Sequence, residues 1–222
     1  MYALRRFDFS DRRRKLNMVN LIPPPEAIMD ILKETGAFRQ GHFIFPNGTH
    51  TQYYFQMPLA FRYADTARIL AVALSRLFRV DRDISSKLPN ITVVSPSPGG
   101  IPIALSVREA LNASQSLWAE VENGERRFRQ FINLGEIPPC IIVDDIIRTG
   151  TAIVEAIELL KGHNAEVIGC GSIVKFEDSP REIGGMPIKY LSEFDCNFYK
   201  TWEEACEKEG CDPSMPPETV RF

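Results

Sequence analysis

The chain has 222 residues, of which 44% are apolar and 25% charged, the proportions of an ordinary globular domain long enough to bury a substantial core. A formal charge of −3 argues against general nucleic-acid binding, and no apolar run approaches membrane-spanning length. Cys140, Cys170, Cys196, Cys206 and Cys211 are an odd set, two of them inside apolar strand-like runs; reduced thiols in a cytoplasmic protein without a secretory leader fit this pattern.

Residues 1–22 carry Arg5, Arg6, Arg12, Arg13, Arg14 and Lys15 with little periodicity, and read as a solvated basic arm. Pro23-Pro24-Pro25 ends it. A helix is predicted over about 25–35, with Ile28, Ile31 and Leu32 inward and Gly36 as its stop. Two β-type runs, 42–45 and 51–56, flank Pro46-Asn47-Gly48, a hairpin signal. The spacing of Ala67, Leu70, Leu74 and Leu77 predicts a helix over about 64–79, and Asp81 to Ser86 read as a polar loop. A strand, Ile91 to Val94, then meets Ser95-Pro96-Ser97-Pro98-Gly99-Gly100, before a helix ending near Leu111. A Gly-Gly pair between strand and helix predicts either an anion nest or a plain tight turn. Ser116 to Ala119 form another strand, and Asn123-Gly124 a further turn.

The densest chemistry lies at residues 140–152. Cys140 to Val143 read as a buried strand ending at two adjacent carboxylates, Asp144 and Asp145. Arg148-Thr149-Gly150-Thr151-Ala152 lead into a helix whose inner face is Ile153, Ala156, Ile157 and Leu160, with Gly162 at the expected C-cap. A helix N-terminus offers unpaired N–H groups to a phosphate, Gly150 allows close approach, and the two threonines add hydroxyls. Carboxylates just before such a loop would repel phosphate, so they address sugar hydroxyls or a divalent cation. There is no Gly-Lys-Ser/Thr of a Walker loop and no Gly-x-Gly-x-x-Gly after a strand.

This stretch resembles the 5-phosphoribosyl 1-pyrophosphate (PRPP) signature of type I phosphoribosyltransferases. The resemblance implies an α/β fold, with a mainly parallel central sheet flanked by helices and a small N-terminal β-rich hood. It implies that Asp144 and Asp145 hold the ribose, that Arg148, Thr149, Gly150, Thr151 and Ala152 cradle its 5′-phosphate, and that Pro98, Gly99 and Gly100 form the pyrophosphate loop. Domains are expected at 23–60 (hood), 61–185 (core) and 186–222 (a C-terminal capping segment), after the arm. Mg²⁺ is expected to arrive through PRPP, with its protein ligands unspecified, and a homodimer is implied.

Within the family, residues 36–57 are similar to the hood of orotate phosphoribosyltransferases, through Gly36-Ala37-Phe38, Gly41-His42-Phe43, Asn47-Gly48 and Thr51-Gln52-Tyr53. On that resemblance Phe43, Asn47, Gly48 and Lys175 are candidates for the base. The chain departs from the pattern at three places. Val121 stands where the mobile catalytic loop has Arg, leaving Arg126, Arg127 or Arg129 to supply the charge; Arg129 is taken as the catalytic one. Phe176 stands where an Arg would read the substrate carboxylate, and Arg148 where these enzymes usually have Thr. Another base, or a PRPP-binding regulator without catalysis, are the alternative readings. Cys206-x4-Cys211 without a nearby His is weak as a zinc motif.

Overall fold

The computed structural model describes residues 22–128 and 135–220. The basic arm and Arg129 therefore lie outside the described residues. In chain order the elements are α1 (Pro25–Glu34), β1 (Phe38–Ile44), β2 (His50–Phe55), α2 (Pro58–Phe61), α3 (Ala64–Arg79), α4 (Arg82–Lys87), β3 (Thr92–Ser95) and α5 (Ile101–Leu111). There follow β4 (Gln115–Glu122), β5 (Glu125–Phe128), β6 (Cys140–Ile147), α6 (Thr151–Gly162), β7 (Val167–Phe176), β8 (Glu182–Ile183), β9 (Met186–Phe194), α7 (Trp202–Glu209) and β10 (Pro217–Thr219).

Seven strands form one sheet in the order β5-β4-β3-β6-β7-β9-β8. Its five central strands run parallel, and each edge is closed by an antiparallel hairpin partner. Side-chain alternation divides β3 and β6 between two cores. Val93, Ile141 and Val143 pack under α1, α3 and α5, whereas Val94, Cys140 and Ile142 pack under Ile153, Ala156 and Leu160 of α6. Buried on both faces, the strands are near-continuous apolar runs, which is why Cys140 to Val143 are completely inaccessible. From β3 the chain crosses by α5 to β4 on one side, while β6 continues through α6 to β7 on the other. The chain direction thus switches between β3 and β6, and ligands of open α/β sheets bind beyond the carboxyl ends of such a strand pair.

A second sheet, ordered β10-β1-β2, makes the hood. The β1–β2 hairpin closes on Gly48 (φ 80°), and its register shifts between Gln40 and Phe43. The C-terminal segment completes it: β10 runs parallel to β1, and Arg39 donates a two-pronged hydrogen bond to Glu218 at 2.7 and 2.6 Å. His42 stacks on Trp202 with centroids 4.0 Å apart and rings 6° from parallel. Its Nδ1 meets the carbonyl of Met215 at 3.1 Å and so must carry the hydrogen; its Nε2 then accepts from His50 Nδ1 at 2.8 Å.

Four sequence expectations change. Residues 82–87 are a helix rather than a loop, capped by the Asp81 carboxylate, which accepts from the Asp83 amide at 3.1 Å. β6 continues through the acidic pair to Ile147 instead of stopping before it. Gly162 remains helical, and the left-handed residue past the end is Asn164. The core does not stop at residue 185, because β9 is an interior strand of the main sheet; residues beyond it join the hood rather than forming a separate cap. Among the described residues no helix is long and apolar enough to cross a membrane, and no group of three His, Cys, Asp or Glu could hold a metal, so Cys206 and Cys211 are not part of a zinc site there.

Gly171 in β7 tests how tightly β7 and β9 are packed. A Cβ there would lie 2.4 Å from the carbonyl oxygen of Lys189 and 3.1 Å from Phe78. We expect Gly171→Ala to destabilise the fold by about 3 kcal/mol, the upper range of overpacking, read as a lower urea midpoint at unchanged slope.

Candidate active site

The carboxyl ends of β3 and β6 bring two loops together. The first, Pro96 to Gly100, is held by Ser95 Oγ donating to the Ser97 carbonyl (2.6 Å) and by the Gly100 amide donating to Ser97 Oγ (3.3 Å). Ser97 Oγ in turn donates to Asp144 Oδ1 at 2.8 Å, so the loop is clamped to the acidic pair. There is no room between them. A Cβ on Gly100 would sit 2.4 Å from Asp144 Oδ1, and one on Gly99 3.1 Å from Asp145 Oδ2. The Gly-Gly pair is therefore required by close approach to the carboxylates as well as by any anion.

Asp144 is 5% exposed and Asp145 half-buried. Each takes a main-chain amide: that of Asp145 donates to Asp144 Oδ1 (3.1 Å), that of Ile146 to Asp145 Oδ1 (2.9 Å). Burial raises the pKa of Asp144, opposed by hydrogen bonds from Ser97 and Asp145 and by the charge of Arg126. Asp145 is pushed well above the usual carboxylate range, first by burial, then by the charge of Asp144 and the hydrogen bond they share. Two carboxylates in one desolvated site cannot both ionise cheaply, so positive charge or hydrogen-bond donors beside them are favoured. Its oxygens are the hard ligands a Mg²⁺ ion accepts, but two carboxylates are fewer than a protein cage supplies, which suits an ion carried in by a phosphorylated substrate.

The second loop, Arg148 to Ala152, opens α6. Gly150 is the N-cap in the left-handed region (φ 77°), and no side chain caps the helix. A Cβ at Gly150 would also meet Ile183 at 2.6 Å. The hydroxyls of Thr149 and Thr151 hydrogen-bond each other at 2.9 Å on the exposed lip, and the loop is tied down by Ser179 Oγ, which donates to the Ile147 and Arg148 carbonyls. The Thr151 amide donates to Thr149 Oγ1 at 3.4 Å and those of Ile153 and Val154 to the Gly150 carbonyl, so the helix start and the two hydroxyls make a compact turn of the kind expected to cradle a phosphate. Ala152 is half-buried at the start of that turn. The Arg148 side chain does not enter the cradle: its guanidinium lies 3.4 Å from the ring centroid of Phe198.

The basic hairpin and the hood complete the surroundings. Arg126, with a side chain only 10% exposed, donates to the Pro96 carbonyl of the first loop and pairs with Glu155 of α6 at 2.8 Å. Arg127 pairs with Glu125 on the surface, and Val121 is exposed. From the hood, Tyr54 packs against Phe43 and Phe45; burial raises its phenol, Arg39 opposes the rise, and Glu218 and Asp145 add to it. The charge of Asp145 reaches Tyr54, a link between hood and acidic pair that sequence reasoning missed because Tyr53 beside it carried the motif match.

The four base candidates have other roles. Phe43 is 1% exposed, a core residue of the hood with no face to offer a ligand. Asn47 Oδ1 accepts from both the amide and hydroxyl of Thr49, and Gly48 forms the turn, so both serve the hairpin itself. Lys175 is 3% exposed; its ammonium is held by Glu193 at 2.5 Å and by the Phe176 carbonyl, over the ring of Tyr190. A buried ammonium already held by a carboxylate and a carbonyl is costly to redirect to a ligand, although Glu193 itself is partly exposed.

An acidic pair near the end of β6, beside two glycine-bearing loops at the switch point of a parallel sheet, is the arrangement expected of a phosphoribosyltransferase-type site. The sequence profile described as "Phosphoribosyl transferase domain" matches residues 77–214. An orotate phosphoribosyltransferase of Thermotoga petrophila is 33% identical over 191 residues, 85% of this chain and 96% of its own. Among solved structures, orotate phosphoribosyltransferase from Aeropyrum pernix superposes with a TM-score of 0.61 at 20% identity, over 82% of this chain and 98% of that one. Adenine phosphoribosyltransferase from Thermoanaerobacter pseudethanolicus gives 0.52 at 13% identity, over 64% and 88%. The chain belongs to the phosphoribosyltransferase family.

The acidic pair's burial carries a prediction. A carboxyl whose folded pKa is raised costs stability that builds between its unfolded and its folded pKa and is fully present above the latter, so replacing it removes a cost present only at higher pH. Asp145→Asn should melt above the wild type at pH 8, by about 2–4 °C for each kcal/mol of repulsion relieved. The gap should narrow as pH falls below the raised pKa and vanish below the unfolded one. Differential scanning fluorimetry across pH reads this; a variant less stable than wild type at pH 8 would refute the description of a mutually repelling, desolvated pair.

Proposed function

We propose that the chain transfers ribose 5-phosphate from PRPP to orotate with release of pyrophosphate, forming orotidine 5′-monophosphate in pyrimidine nucleotide synthesis. The observation that carries the reading is the clamp of the Pro98-Gly99-Gly100 loop onto Asp144 and Asp145, facing the Thr149–Ala152 cradle. On this reading the two loops take the phosphates and the acidic pair between them takes the sugar. The choice of orotate rests on the relatives and on the hood. Superposition with an adenine enzyme means that the fold alone does not choose the base.

In this reading the Thr149 and Thr151 hydroxyls and the amides of the α6 turn hold the 5′-phosphate. Asp144 and Asp145 accept hydrogen bonds from the ribose hydroxyls. Mg²⁺ bound with PRPP would neutralise the pyrophosphate. As the bond from C1 to pyrophosphate lengthens, the sugar gains positive charge, and the buried carboxylates favour it electrostatically. Arg126 fixes the first loop through the Pro96 carbonyl, and Arg129 is the residue assigned to pyrophosphate. Tyr54 provides a flat surface for the base. The protein works as a homodimer in the cytoplasm.

A catalytically silent PRPP-binding protein is the second reading, favoured by Val121 and by the capture of Lys175 by Glu193. Calorimetric titration with PRPP and Mg²⁺, followed by orotate with its absorbance monitored, separates the two: turnover supports the enzyme, and binding without turnover the regulator. Asp144→Asn combined with Asp145→Asn should abolish PRPP binding while circular dichroism shows the fold intact. Unchanged affinity would overturn the site. Light scattering of the purified protein tests the dimer.

A further inference from the structure

We propose that Arg148 reads the carboxylate of the base, in the role left open by Phe176, and that Phe198 is the plate holding it there. This rests on the reading of the chain as a phosphoribosyltransferase for an acidic base. Phe176 is almost buried, with ring centroids 5.9 Å from Phe55, 6.4 Å from Phe194 and 6.2 Å from Phe198. It cannot contact a carboxylate with anything but carbon. Phe198 lies nearly parallel to it, 29° between planes, and Arg148 is centred over Phe198. Guanidinium, Phe198 and Phe176 thus form one stack, which brings a cation from the phosphate loop to the neighbourhood of the aromatic residue at the end of β7.

No acidic side chain among the described residues pairs with Arg148, in contrast to Lys175, Arg39 and Arg126. A guanidinium stacked through its face keeps its N–H fork free at the edge, the geometry that grips a carboxylate with two parallel hydrogen bonds. Stacking also removes rotamer freedom before the ligand arrives. The surroundings favour a flat anion: Phe45 meets Phe198 edge-on at 5.5 Å and also packs on Tyr54, so the slot beside the guanidinium is aromatic-walled. The carboxylates of Asp144 and Asp145 address the sugar, which leaves Arg148 as the group that would offset the charge of an acidic base. The residue thus sits on the phosphate loop by its backbone and serves the base by its side chain.

The test compares wild type with Arg148→Gln and Phe198→Ala in steady-state turnover and in calorimetric binding of orotate, uracil and nicotinate to the protein loaded with PRPP and Mg²⁺. Loss of one charge-assisted pair, about 1.5–3 kcal/mol, corresponds to roughly a ten- to hundredfold weakening for orotate. The expected result is that weakening in Arg148→Gln, with uracil binding and PRPP affinity within about threefold of wild type. Phe198→Ala should give a smaller loss for orotate alone. Equal losses for PRPP and orotate would make Arg148 a phosphate ligand and overturn the inference; so would unchanged orotate binding. If wild type ignores orotate but takes nicotinate in an Arg148-dependent manner, the proposed substrate fails and the role of Arg148 stands. Binding of PRPP with no carboxylated ring accepted overturns both.

Discussion

The constraint on which the site depends is the absence of space between Gly99-Gly100 and the acidic pair. β3 and β6 are neighbours in the sheet, so the loops that follow them have no freedom to separate. The loop after β3 must lack side chains at Gly99 and Gly100 because β6 presents two carboxylates against it, and Ser97 locks the contact by its hydrogen bond to Asp144. This arrangement places like charges in a desolvated setting, which a fold selected only for stability would avoid. Strain of this kind is retained where a ligand relieves it.

Around that clamp the molecule separates its tasks. The parallel sheet and the two cores below it make a rigid floor, with Val93, Ile141 and Val143 on one side and Val94 and Ile142 on the other. The helix start at Thr151 supplies phosphate chemistry from the backbone, which requires little of the side chains. Phe45, Tyr54, Phe176 and Phe198 pack together from the hood, the end of β7 and the segment after β9. On the proposed reading phosphate recognition is local in sequence, whereas the base side is assembled from distant parts of the chain.

That division explains what the sequence could reveal. The strand, acidic pair, Thr-Gly-Thr turn and α6 are consecutive, and their roles follow from periodicity and helix-end chemistry; the same holds for Pro98 to Gly100. The base residues were harder to read because non-local contacts decide them. Lys175 looks available until Glu193, eighteen positions later, takes its charge. Phe43 looks like a ligand platform, but the register shift after Gln40 and its burial make it core. The tail gave no sign that its last strand would join β1, since a three-residue strand has almost no pattern to read.

The pairing of β10 with β1 has a kinetic side. Arg39 and Glu218 are separated by 179 positions, so during synthesis β1 waits for nearly the whole chain before its outer neighbour exists. The main sheet up to β7 can assemble from contacts close in sequence, whereas the hood can close only when Trp202, Met215 and Glu218 have left the ribosome. A nascent chain therefore acquires its phosphate loops before its roof. The surface that would hold a base is the last part of the molecule to become real.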